Sequence, residues 1–328
     1  MRTPPSLPRQ QRGALLILLV IALGVLAVTL FVGMLSSSAI QNERDKKTAV
    51  ALAEAKTALI GWSASRSSNT SNYTPGQLPC PEDLSLIGLP TEGTAASSCT
   101  LPASGRLPWK TLKIGDIRDG YGEKLWYAIS NGFRSSPINS MTQAQLTVDG
   151  VPNSAVAIIF SAGPPIAGQV RPIPTASSPP LISNYLEGSN NDGDNQFVTQ
   201  GPAGTFNDKL LTVTHHDLFS VVERRIANII IGTDTTIMGA STPPDSGLRY
   251  AYLHQLPEHS YPTSPLDYDL LSYDSYTKKM LTDKDANNHS WETVVGYTTS
   301  NSNFIAQLNL RYCTAKTTSG QAGIITCH

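Results

Sequence analysis

Charge is scarce in this 328-residue chain: Asp, Glu, Lys and Arg make up 15% of it, where about a quarter is usual. Its 24 basic and 25 acidic residues leave a net charge of −1. No positive field is available to hold a phosphate backbone, so nucleic acid is not an expected partner. Nucleotide loops are missing too: there is no Walker loop, and no G-x-G-x-x-G follows a strand-like run. No G-x-S-x-G marks a nucleophile elbow. The four cysteines contain no C-x-x-C pair, which argues against a zinc ribbon or a thioredoxin-type site. In place of charge the later chain carries Ser, Thr, Asn, Gly and Pro, a mix suited to turn-rich β structure outside the cytoplasm.

The cysteines fall into two local pairs. In an oxidising compartment they read as disulfides Cys80–Cys99 and Cys313–Cys327, each closing a short loop and stabilising by roughly 3 kcal/mol. In a reducing cytosol the same residues would be four free thiols.

The N-terminus sets the class. Arg2, Arg9 and Arg12 precede an uncharged stretch from Gly13 to Asn42, and Ala14 to Leu35 is almost wholly apolar. As a helix that run is on the order of 33 Å long, enough for the hydrocarbon core of a bilayer. The arginines before it and the mixed charges Glu43 to Lys47 after it place the N-terminus in the cytoplasm and the bulk outside. The competing reading is a cleaved secretory signal, with Ser36, Ser37, Ser38 and Ala39 as the small-residue site. Beyond the apolar run, Thr48 to Trp62 is rich in helix formers. Ala49, Leu52, Ala55, Leu59 and Trp62 recur at steps of three and four, giving one apolar face.

The segment Arg9-Gln10-Gln11-Arg12-Gly13-Ala14-Leu15-Leu16 resembles the short basic leader of type IV prepilins and type II secretion pseudopilins. The resemblance implies a cut by prepilin peptidase between Gly13 and Ala14, methylation of the new N-terminus, and other pilin or pseudopilin subunits as partners. It implies a leader over 1–13, a helix over 14–62 that is transmembrane over 14–35, and a head on its outer end. Most of the family have Phe or Met first and Glu fifth in the mature chain, where this chain has Ala14 and Leu18. The missing acid resembles tip-type minor pseudopilins. Ala14, Leu18 and Leu35 are accordingly expected within a bilayer. The expected location is the bacterial inner membrane, single-pass, with the head periplasmic or in an extracellular filament.

The fold expected for the rest is α+β, an antiparallel-sheet head of one pilin-like module or of two in tandem over 63–205 and 206–328. Asp119-Gly120-Tyr121-Gly122 supplies turn chemistry ahead of a strand with Leu125, Tyr127 and Ile129 on one face. It resembles the turn-and-strand of major pseudopilins, with Gly120 in place of a proline; the alternative is any tight turn feeding a core strand. Val156 to Phe160 reads as a buried strand. The acidic loop from Asn184 to Asn195 resembles the calcium loop of pseudopilins. Glu187, Asn190, Asp192 and Asp194 are the oxygen donors that calcium would take there; the alternative is a solvated acidic turn. A second helix is capped by Thr214 with Asp217, and Leu218, Val222, Ile226 and Ile229 share its face. Tyr261-Pro262, after a tyrosine-rich stretch, resembles the helix exit of pilins.

His215-His216-Asp217 is the most catalytic-looking cluster. Neighbouring helical positions point about 100° apart, so the histidines make no shared metal face. The functional expectation is a minor pilin or pseudopilin, a structural subunit or tip of a filament, with no catalytic role. The competing reading is an exported hydrolase or binding protein that shares only the anchor.

Overall fold

A computed structural model describes residues 11–66, 74–101, 103–134, 137–231, 284, 289–300, 305–317 and 324–328, with side chains left out at 11–15, 28–37 and a few strand and helix positions. The leader up to Gln10, Gly232 (expected to close the second helix) and the tyrosine-rich stretch with Tyr261-Pro262 lie outside the described residues.

Helix α1 runs unbroken from Gln11 to Ala64. Its outer part is amphipathic, and one stripe is buried: Thr48, Ala51, Leu52, Ala55, Leu59 and Trp62. The expected stripe is therefore right from Leu52 onward and turned by one position at its start. Ala49 is exposed and Thr48 takes its place.

The expectation of a transmembrane helix is corrected. Among the described residues, no helix is long and apolar enough to cross a membrane. The expected span over 14–35 and the single-pass inner-membrane location drawn from it fall with that finding. Leu18 stands 66% exposed. The side chains of Ala14 and Leu35 are outside the description.

The head is α+β. Its main sheet has the order β1 (Ala103–Arg106), β2 (Trp126–Ile129), β5 (Ala157–Ser161), β7 (Lys209–Val213), all antiparallel. Period-two alternation makes both faces of its centre apolar. Leu125 (just before β2), Tyr127, Ile129, Ala157 and Ile159 join the core under α1, while Trp126, Ala128, Ile158 and Phe160 join a second core on the other side. That second core is closed by a small sheet of β3 (Leu146–Val148), β4 (Val151–Ala155) and β6 (Gln196–Phe197). The β3–β6 pair is parallel, a departure from an all-antiparallel head.

Helix α2 (His215–Ile231) packs beside α1. Its buried face carries Leu218, Phe219, Val222, Ile226 and Ile229. A short helix α3 (Trp291–Val294) precedes the antiparallel sheet of β8 (Gly296–Ser300), β9 (Ile305–Asn309), β10 (Cys313–Thr317) and β11 (Ile324–Cys327). This sheet lies on α2, so Leu308, Cys313 and Ala315 belong to the same core as Leu59 and Tyr127. The boundary expected at 205/206 falls just before β7, which pairs with β5 over Ala157–Ser161.

Both disulfides are formed. Cys80–Cys99 closes the loop that follows α1, and Cys313–Cys327 links directly opposed positions of β10 and β11.

Candidate functional site

The junction between helix and head is built around the Asp119–Gly122 turn. Asp119 is fully buried. Its Oδ1 accepts the backbone N–H groups of Tyr121 at 2.8 Å and Glu123 at 2.9 Å, and its Oδ2 accepts the Ser161 hydroxyl at 2.7 Å. The turn thus stands fixed at the edge of β5 and presents Gly120 to α1. Gly120 N–H donates to Thr48 Oγ1 at 2.9 Å, and Thr48 Oγ1 donates to Arg44 O at 3.0 Å. A Cβ on Gly120 would sit 2.1 Å from Arg44 O. Only glycine lets the turn come this close. Around it, Gln41 Nε2 donates to Tyr121 OH at 2.5 Å, Arg44 lies over the Tyr121 ring, and Lys209 of β7 pairs with Asp45 at 2.7 Å. The charged segment of α1 is the part that the head grips.

Below that grip α1 changes character. Leu16, Ile17, Leu18, Leu19, Val20, Ile21, Leu23, Val25 and Leu26 are all more than half exposed. Gly24 has open space around it. These side chains point to every side of the helix, so no single face of it is polar. The Gly13–Ala14 bond expected as the processing site lies in the first turn of α1.

The four expected calcium ligands are split into two groups. Glu187 and Asn190 are buried. Glu187 accepts from Gln169 Nε2 at 3.0 Å and from the backbone N–H groups of Asn207 and Asp208 at 3.1 and 3.2 Å. Asn190 Oδ1 accepts Val198 N–H, and its Nδ2 donates to Asp208 Oδ2 at 3.0 Å. Asp192 and Asp194 instead stand at the surface, each accepting the backbone N–H two residues on. All four side chains are committed to donors, and among the described residues no group of three or more His, Cys, Asp or Glu converges as a metal site would require. As arranged, these residues do not fit a shared calcium ion. The partner that sequence reasoning missed is Asp208. Burial pushes its carboxyl up to about 8, and the adjacent Glu187 charge adds to that rise.

The His215-His216-Asp217 cluster disperses. Asp217 forms a reciprocal cap with Thr214 and an ion pair with Lys56 of α1 at 2.7 Å. His216 faces the backbone oxygen of His328. His215 is pinned between Thr142 O at 3.0 Å and Tyr312 OH at 2.7 Å. A carbonyl only accepts, so Nε2 carries the proton and Nδ1 accepts from the tyrosine. Burial and the nearby Arg311 charge push the imidazole down to about 4, which keeps it neutral.

Helix α2 also carries a buried glutamate that pattern reading passed over. Glu223 is fully buried and accepts the backbone N–H groups of Arg311, Tyr312 and Cys313 at 3.1, 2.7 and 2.9 Å. It fastens α2 to the disulfide hairpin. Its only signal in the sequence is an acid set beside the apolar positions Val222 and Ile226.

No protein-family model matches the chain, and no curated protein or solved structure does.

Proposed function

We propose that the chain is a pilin-like subunit, a minor pilin or pseudopilin placed in or at the tip of a type IV pilus or type II secretion pseudopilus. The observation that carries this reading is the division of α1. One half is built into the head by a buried stripe and a fixed turn. Along Leu16–Ala27 the other half is exposed and apolar all round. A helix that is apolar on every side needs apolar neighbours. In a filament the neighbours are the same helices of adjacent subunits, packed about 8–10 Å apart. Leu18, standing where most of the family carry an acid, leaves the helix with no carboxylate to offer a neighbouring N-terminal amine. That suits a place where no further subunit needs such a partner.

Two measurements test the reading. Co-expression with a prepilin peptidase should lower the mass by residues 1–13, and Gly13→Leu should prevent the loss. A mass unchanged with and without that substitution would end the prepilin assignment. Cysteines placed at Leu19 or Leu26 should crosslink the chain to co-expressed filament subunits that carry a cysteine in the matching stretch of their own N-terminal helix. A head-surface cysteine at Val151 should not.

A further inference from the structure

On the side of the main sheet away from the helices, four segments enclose a cleft of about 380 Å³. They are the Cys80–Cys99 loop, the end of β1, the turn before β2 and the long loop after β5. Four cations and two acids line it, a balance of +2. Three of the cations are already paired. Arg118 holds Asp116 at 2.6 Å. Lys124 is paired with Glu92. Arg171 pairs with Glu123 at 3.2 Å and donates to the carbonyls of Ala162, Gly163 and Tyr185.

Arg106, at the end of β1, is different. It is 5% exposed, and among the described residues its Nε meets no acceptor. Its guanidinium lies 6.0 Å from the Tyr185 ring centroid. Glu82 and Glu92 act on it through their fields; Glu82 Oε1 accepts Gly93 N–H at 2.8 Å, and its Oε2 meets no partner among the described residues. Burial also raises the Glu82 pKa, which weakens it as a counter-ion. A guanidinium stays protonated when buried, and a buried charge without an acceptor is costly. At the mouth the surface turns apolar: Ile87 and the Pro172–Pro174 loop line it, with Ile173 88% exposed.

We propose that this cleft binds a peptide carboxylate carried beside an apolar side chain, with the carboxylate on Arg106 and the apolar group against Ile87 and Ile173. The planar guanidinium edge matches a carboxylate in two parallel hydrogen bonds. Glu92 and Glu123 in the same lining oppose a second negative charge, which favours a monoanion over a phosphate dianion. The inference stands apart from the filament reading, since it uses no part of α1.

The test is an NMR titration of the full chain with N-acetyl-leucine, N-acetyl-leucinamide and inorganic phosphate. N-acetyl-leucine should bind saturably, with the amide and phosphate each at least about tenfold weaker. Arg106→Met should abolish binding. Ile173→Asp, on the exposed rim, should weaken it about tenfold while leaving the melting temperature unchanged. It decides the matter if Arg106→Met fails to fold. No saturable binding of N-acetyl-leucine, equal binding of the amide, tighter binding of phosphate, or wild-type affinity in Ile173→Asp would each overturn the proposal.

Discussion

A buried carboxyl and a half-buried imidazole give this head opposite responses to pH. The Asp208 carboxyl is held near 8 by burial, against about 3.9 in an unfolded chain. The folded state therefore keeps the proton longer, and the stabilisation from it is complete below about 4 and is lost as pH rises towards 8. Oδ2 accepts Glu187 N–H and Asn190 Nδ2–H, while among the described residues no donor reaches Oδ1, so the proton belongs on Oδ1. His215 runs the other way. Its folded value near 4 lies below about 6.5, so its contribution is complete above 6.5 and is lost as pH falls to 4. Between about 4 and 6.5 the two slopes oppose each other; from about 6.5 to 8 only that of Asp208 remains. Melting temperatures of Asp208→Asn should accordingly stay flat from pH 6.5 to 8, where the wild type declines. His215→Gln should turn the near-flat wild-type profile between pH 6.5 and 4 into a rise as pH falls, and keep the alkaline decline. Identical pH profiles for wild type and Asp208→Asn would show that the carboxyl is ionised throughout. The calcium expectation belongs to this scale as well. With Glu187 and Asn190 saturated by internal donors, the melting temperature should not move on adding chelator or millimolar calcium.

Elements are joined here by single polar residues whose importance depends on what they leave behind when removed. Glu223→Ala would strand three backbone N–H groups of the 311–313 turn, a cost of roughly 3 kcal/mol or more, read as a fall in the urea midpoint. Glu223→Gln, which keeps one acceptor, should cost less than half as much. Gly120→Ala would push a methyl group into Arg44 O and should cost about 2 kcal/mol, the scale of overpacking. Gly122→Ala in the same turn meets no neighbour but has a φ of +86°, so its smaller cost of about 1 kcal/mol is one of backbone strain. The strands and helices around these pins were legible beforehand. β2 and β5 announce themselves by alternation and by unbroken apolar runs, and α2 by its cap and its 3.6-residue period. The pins were not, because Glu223 and Gly120 owe their roles to partners about ninety and seventy positions away. In the loop at 187–195, nearness in sequence and use in space part company. Its acids cluster in sequence, but Asp192 and Asp194 are used by their own turn, and the buried contact of Glu187 and Asn190 is Asp208, beyond the cluster.

At the scale of the whole molecule, two tandem modules and one cooperative body make different predictions. A single core runs from Leu59 and Trp62 of α1 through Tyr127 and Ile159 of the main sheet and Phe219 of α2 to Leu308 and Ala315 of the last sheet. Phe219 sits at its crossing point, with Phe133 at 6.2 Å, Trp291 at 6.3 Å and the His215 ring at 4.4 Å between centroids. Emptying that point should loosen both sides together. Phe219→Ala is expected to cost about 3–5 kcal/mol, as for other large buried aromatics. Trp126 reports from the far face of the main sheet and Trp291 from beside α2, both nearly fully buried. In variants whose sole tryptophan is Trp126 or Trp291, urea unfolding followed by fluorescence should give the same midpoint from either probe, and Phe219→Ala should shift both by the same amount. Independent modules would separate the midpoints and let Trp126 ignore the substitution. A shared shift means that the exposed half of α1 is carried by one rigid head, so that a load applied to the helix is borne by Glu223, the Asp119–Gly122 turn and both disulfide loops together.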